Sequence, residues 1–150
     1  MNILIVEDDE NKSKTITEFI SSIYPNIKLS VAHSYQSGVQ MAIDYKYDLL
    51  LLDMSIPNFD ITENEGGGEA LKNGGELIIE ELLDENIDFN CTIITQYETF
   101  NNEPLTTIDA RLRKSCGDKY HGCIKYDSYN DDWKDLLKIN IENVIHTHNR

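Results

Sequence analysis

Five polar side chains that directly follow short apolar runs carry the chemical signal in this chain. Glu7 and Asp8 come straight after Ile3-Leu4-Ile5-Val6, and Asp53 closes Leu49-Leu50-Leu51-Leu52. Thr95 ends Cys91-Thr92-Ile93-Ile94, and Lys125 ends Gly122-Cys123-Ile124. If each run is a strand of one parallel sheet, three carboxylates, a hydroxyl and an ammonium meet at its carboxyl edge, where open α/β sheets bind ligands. Three crowded carboxylates repel and raise one another's pKa values unless a cation sits among them. A few hard oxygen donors of this kind suit Mg²⁺, or Mn²⁺, with several waters retained. A metal so held can bridge a carboxylate nucleophile and a phosphoryl group, while Lys125 pairs with one phosphoryl oxygen and the Thr95 hydroxyl bonds another. The chemistry implied is phosphorylation of Asp53 as an acyl phosphate. One Asp before a turn would carry little of this, because such residues mostly cap or form turns. The coincidence of several strand ends carries it.

These residues need a frame that aligns the strand ends. Four consecutive leucines bounded by Asp48 and Pro57 suit a strand buried on both faces, in the middle of a parallel sheet. Ile3–Val6 is a second buried strand. Helical spacing follows from Asn11, with Ile16, Phe19, Ile20 and Ile23 on one face until Pro25-Asn26 stops it. Residues 28–33 alternate and suit an edge strand. Ser34 can cap a second helix carrying Val39, Ala42 and Ile43. A third helix starts near Gly75 with Ile78, Ile79, Leu82 and Leu83 inward, and Cys91–Thr95 is a fourth strand. Pro104 can open a fourth helix, with Leu105, Ile108 and Leu112 inward and Arg111, Arg113 and Lys114 making a basic outer side. Gly122–Lys125 is a fifth strand. A last helix from about Asp131 carries Trp133, Leu137, Ile141 and Val144. Five β-α units predict a flavodoxin-like doubly wound α/β sheet, five parallel strands in the order 2-1-3-4-5 with helices on both faces.

Residues 58–73 interrupt that rhythm with a polar, acidic, glycine-rich stretch, including a short helical turn expected at Glu69–Lys72. The stretch leaves the sheet just after Asp53 and carries Asp60, Glu63, Glu65 and Glu69 against Lys72 alone. It reads either as an acidic gate that repels small anionic phosphodonors or as a passive surface insertion.

A chain of 150 residues, 40% of them hydrophobic, predicts one domain spanning 1–150 with a core of its own. A net charge of −14 argues against nucleic acid or an anionic membrane as direct partner. Cys91, Cys116 and Cys123 lack metal-ligand or redox spacing and read as free thiols of a reducing compartment. Met1-Asn2 leads directly into a strand, and no apolar run approaches membrane-spanning length. The expectation is a cytoplasmic protein.

With these residues in place, the chain resembles a two-component response regulator receiver domain, of a stand-alone and atypical kind. The resemblance runs from Ile-Leu-Ile-Val-Glu-Asp-Asp-Glu through Asp53-Met-Ser-Ile-Pro to Thr95 and Lys125. It implies that Glu7 and Asp8 are the acidic metal pair, Asp53 the phosphoacceptor and the Ser55 carbonyl a further metal ligand. It also makes Thr95 the hydroxyl switch residue and Lys125 the family's lysine. The partners implied are a sensor histidine kinase or phosphotransfer protein upstream and an effector protein downstream. Catalysis would extend only to the chain's own phosphotransfer and autodephosphorylation. Three positions depart from the pattern. Tyr126 stands where the family has proline, Gln96 where a small residue follows the hydroxyl, and Gly122 where an aromatic switch residue is common. Tyr97, Tyr120 and Tyr126 are the nearby aromatic substitutes. A degenerate receiver, used only as an interaction module, is the alternative. An aspartyl phosphatase ranks last, because its second Asp, two residues after the nucleophile, is here Ser55.

Overall fold

The computed structural model describes residues 1–148 apart from Glu65, Glu69 and Asn101, with His148 placed by its backbone. Five strands form one parallel sheet: β1 (Asn2–Val6), β2 (Lys28–Ala32), β3 (Leu49–Leu52), β4 (Asn90–Thr95) and β5 (Tyr120–Lys125). Their order is 2-1-3-4-5, as the sequence pattern predicts. Five helices connect and follow them: α1 (Glu10–Ile23), α2 (Tyr35–Asp44), α3 (Gly74–Asp84), α4 (Leu105–Cys116) and α5 (Asp132–His148).

Alternation along β1 and β3 builds two cores. Leu4, Val6, Leu50 and Leu52 face α2, α3 and α4, whose Ala42, Ile78, Ile79, Leu82, Ile108 and Leu112 are buried. Ile3, Ile5, Leu49 and Leu51 face α1 and α5, meeting Ile16, Ile20, Trp133, Leu137, Ile141 and Val144. A strand apolar on both sides is what a sheet covered by helices on both faces requires. Ile43 and Leu83, expected on inner faces, are exposed instead. Gly38 and Gly75 let α2 and α3 lie close to the sheet, where an added Cβ would meet Val6 and the Asp53 carbonyl.

Local chemistry sets the helix starts. Ser34 caps α2 in a reciprocal box with Ser37. Asp9 caps α1, accepting from the backbone N–H groups of Asn11 at 2.9 Å and Lys12 at 3.2 Å. Pro104 stands just before α4 rather than at its first helical position. β5 begins at Tyr120, two residues earlier than expected. Its pairing with β4 shifts register between Cys91 and Ile93, and Gly122 has φ +109° there, as a bulge in the strand demands.

The 58–73 stretch is tied down at several points. Ile56–Pro57 pairs antiparallel with Ala70–Leu71, which corrects the expected helical turn at 69–72; Glu69 and Glu65 lie outside the described residues. Gln36 N–H donates to the Asn58 carbonyl at 3.0 Å, and Phe59 N–H to that of Gly67 at 3.0 Å. The Ser37 hydroxyl donates to Asp60 at 2.8 Å. Serine hydroxyls, Ser34 foremost, hold the Asp60 carboxyl below its ordinary range. The segment therefore docks on the N-terminus of α2.

Candidate functional site

Register brings the carboxylates together. Val6 pairs with Leu52 across β1 and β3, so Glu7 and Asp53, the next residue in each strand, stand side by side. Oxygens of Glu7, Asp8 and Asp53 lie within 4.8 Å of one another, with Glu7 and Asp53 buried and Asp8 exposed. One Asp53 oxygen, Oδ1, accepts from the Met54 backbone N–H at 2.8 Å, which fixes the carboxylate's orientation. An open pocket of about 210 Å³ is lined by Glu7, Asp8, Asp9, Lys12, Asp53, Ser55, Gln96 and Tyr97. Ser55 is therefore beside the carboxylates, and exposed Gln96 and Tyr97 form the rim. Asp9 is engaged as the cap of α1.

The donor set fits a hard divalent cation. Burial pushes the Glu7 carboxyl up to about 8, with Asp53 adding to the rise and Lys12 opposing it. Burial likewise raises Asp8 above its ordinary range. Clustered carboxyls driven toward their neutral form are ones that a bound cation would stabilise as anions.

Thr95 is fully buried at the end of β4, and its hydroxyl has no hydrogen-bond partner among the described residues. Lys125 pairs in register with Thr95 at the same sheet edge. Its ammonium, however, pairs with Glu98 beyond β4, and the side chain is 55% exposed. Within the Asp53 pocket the ammonium present is that of Lys12, on α1, whose side chain is 2% exposed. Lys12 Nζ donates to the Ile94 carbonyl at 2.9 Å and lies 2.5 Å from Glu7 Oε1 and 3.4 Å from Asp53 Oδ2. It also stands 5.5 Å from the centre of the Tyr126 ring.

Sequence reasoning missed Lys12, although a signal existed. Lys12, Ile16 and Ile20 share one helical stripe at i, i+4, i+8, so a cation sits on the apolar face of α1. Tyr126 is buried against Trp133, ring centres 5.1 Å apart, and its N–H donates to the Thr95 carbonyl at 2.8 Å. Tyr120 is also buried; its hydroxyl donates to Asp109 on α4 at 2.6 Å and contacts Cys123 Sγ at 2.8 Å. Of the three tyrosines, Tyr97 alone reaches the pocket rim.

No family model matches the chain. It is 31% identical over 143 residues to the uncharacterised protein y4jR of Sinorhizobium fredii, covering 92% of this chain and 95% of that one. It is 27% identical over 147 residues to the Detocs response regulatory protein DtcB of Enterobacter cloacae, covering 92% and 97%. In three dimensions it matches the receiver domain of the Francisella response regulator 1452 with a TM-score of 0.64 at 18% identity, covering 98% of each chain. The chain has the fold of a response regulator receiver domain. No described helix of this receiver is long and apolar enough to cross a membrane.

The receiver's helix α4 is less freely basic than its sequence suggests. Arg111 grips the buried carboxylate of Glu76 on α3 through two hydrogen bonds, at 2.6 and 2.9 Å, and holds Glu103 at 2.9 and 3.1 Å. Arg113 pairs with Asp109 at 3.2 Å and lies over the Tyr120 ring. No described residue of the 58–73 segment lines the Asp53 pocket, while Lys72 lines an adjoining one that shares Ser55 and Tyr97.

Proposed function

We propose that this receiver accepts a phosphoryl group on Asp53 from a sensor histidine kinase or phosphotransfer protein, and that the change is read by an effector protein docking on it. Glu7, Asp8, Asp53 and the Ser55 carbonyl would hold Mg²⁺ or Mn²⁺. When bound, such an ion neutralises charge on the phosphoryl oxygens during transfer. The observation that carries the reading is the placement of Asp53. It is a buried carboxylate at the end of the central strand, anchored through Oδ1 by Met54 N–H, with Oδ2 3.4 Å from the Lys12 ammonium and oxygens of Glu7 and Asp8 close by. An Asp53 oxygen forms the new P–O bond as the bond from phosphorus to the donor breaks, and the donor leaves with the electron pair. The unpartnered Thr95 hydroxyl has a donor free for a phosphoryl oxygen. The chain would turn over nothing but its own phosphate.

One observation favours the degenerate reading, an interaction module without phosphorylation. Lys125 is engaged with Glu98, outside the pocket. Intact mass after incubation with acetyl phosphate and Mg²⁺ separates the two. A single added phosphoryl group, lost in Asp53→Asn, is the expected result. A folded parent that gains no mass would leave the degenerate module as the function.

A further inference from the structure

Resting on the phosphoacceptor reading above, we infer that Lys12, rather than Lys125, is the ammonium that acts on the phosphoryl group at Asp53. A lysine ammonium has three N–H donors. In the resting site the ammonium donates to the Ile94 carbonyl and forms ion pairs with Glu7 Oε1 and Asp53 Oδ2. The Ile94 carbonyl belongs to the strand residue just before Thr95, so this contact fixes the ammonium against the end of β4. The side chain is sealed on its other flank by Tyr126, whose ring Lys12 faces at 5.5 Å. Tyr126 in turn is held by Trp133 of α5. Burying a lysine is costly unless its charge is matched, and a cation retained here has its two carboxylate partners in the reaction pocket itself.

Lys12 comes from α1 and Lys125 from β5. Only Lys12 lines the pocket that holds Asp53. Tyr126, the residue after Lys125, belongs to the same arrangement, because its ring flanks Lys12. When phosphorus approaches Asp53, Lys12 Nζ exchanges a carboxylate contact for a phosphoryl oxygen. The Asp53 oxygen bonds to phosphorus as the P–O bond to acetate, or the P–N bond to a kinase histidine, breaks. The departing group keeps the bonding electrons, and Lys12 keeps its three protons throughout.

A bland role, neutralising the acidic cluster for folding alone, makes a different prediction. Labelling of the full chain by acetyl phosphate in excess Mg²⁺ is followed by intact mass for the parent, Lys12→Met, Lys12→Gln and Lys125→Met. Lys12→Gln keeps a hydrogen-bond donor toward the Ile94 carbonyl and guards against loss of fold in Lys12→Met. Both Lys12 variants should label slower by on the order of 10²-fold, the loss found when one donor to developing charge is removed. They should still unfold cooperatively and still gain thermal stability from Mg²⁺, which shows the acidic site intact. Lys125→Met should label faster than either Lys12 variant. Folded Lys12 variants that label like the parent overturn the inference and leave phosphorylation of Asp53 standing. So does slow labelling confined to Lys125→Met. A parent that does not label at all removes the phosphoacceptor reading itself and the inference with it.

Discussion

Replacing Gly75 with alanine should destabilise the protein even though alanine is the better helix former. A Cβ at Gly75 would lie 2.7 Å from the Asp53 carbonyl oxygen and 3.2 Å from Ile93 Cδ1. The first of these atoms is backbone of the central strand, so it cannot rotate away as a flexible side chain would. Alanine gains up to about 1 kcal/mol over glycine inside a helix, and less in a first turn. Overpacking against a fixed neighbour costs about 1–3 kcal/mol. With a backbone contact the cost falls in the upper part of that range, leaving a net loss of about 1–2 kcal/mol. For a domain of this length each kcal/mol moves Tm by about 2–4 °C, so Tm should fall by about 4 °C. Urea unfolding midpoints and thermal melts measure the loss. Gly66→Ala is the control, because nothing lies within 4 Å of the Cβ it would add. That variant should match the parent or gain up to about 1 kcal/mol through the unfolded state. The strained contact is with the carbonyl of Asp53, so Gly75→Ala should also slow the proposed labelling there. A Gly75→Ala protein as stable as the parent would show that the α3 N-terminus is not pressed against β3, and the close-approach argument would fall.

The acidic site should make the metal-free protein sensitive to pH in an unusual direction. Glu7 sits at about 8 in the fold against 4.5 ordinarily, so folding favours its protonated form. Its stabilising share is complete below about 4.5 and is lost as pH rises through about 8. Urea midpoints measured without metal across that window should decline for the parent and decline less for Glu7→Gln; equal slopes would show that Glu7 titrates elsewhere. Arg111→Met should cost about 1–3 kcal/mol, because it strands the buried Glu76 carboxylate. Adding Glu76→Gln to it should recover part of the loss in urea unfolding, and a double variant no better than the single would show that the α3–α4 bridge contributes nothing.

The fold was legible because its signals are local and repeated. Leu49–Leu52 suits a strand buried on both faces, and the β-α alternation around it fits the 2-1-3-4-5 order that the sheet adopts. The carboxylates Glu7, Asp8 and Asp53 were legible for the same reason, since a residue that ends a buried strand is placed by the strand. What escaped was decided by contacts distant in sequence. Glu-Ala-Leu-Lys at 69–72 contains good helix formers, yet Ala70–Leu71 pairs with Ile56–Pro57 across the intervening loop. Propensity is weak against such pairing in a stretch so short.

Lys12 and Lys125 show where the same logic stops for side chains. Strand position put Lys125 at the correct edge, but a lysine stem is long enough for its head to choose among partners, and Glu98 took it. Helix position placed Lys12 on the stripe of Ile16 and Ile20, where burial is the rule for apolar residues. A lysine there either snorkels outward or finds anions inside, and the periodicity alone does not choose between them. The choice comes from the strand ends: Glu7 and Asp53 lie within reach of that face, and Asp9 accepts the Lys12 backbone N–H as it caps α1. A charge on an apolar helical stripe is therefore best read together with the opposite charges at the neighbouring sheet edge. Here that pairing selects the cation beside Asp53.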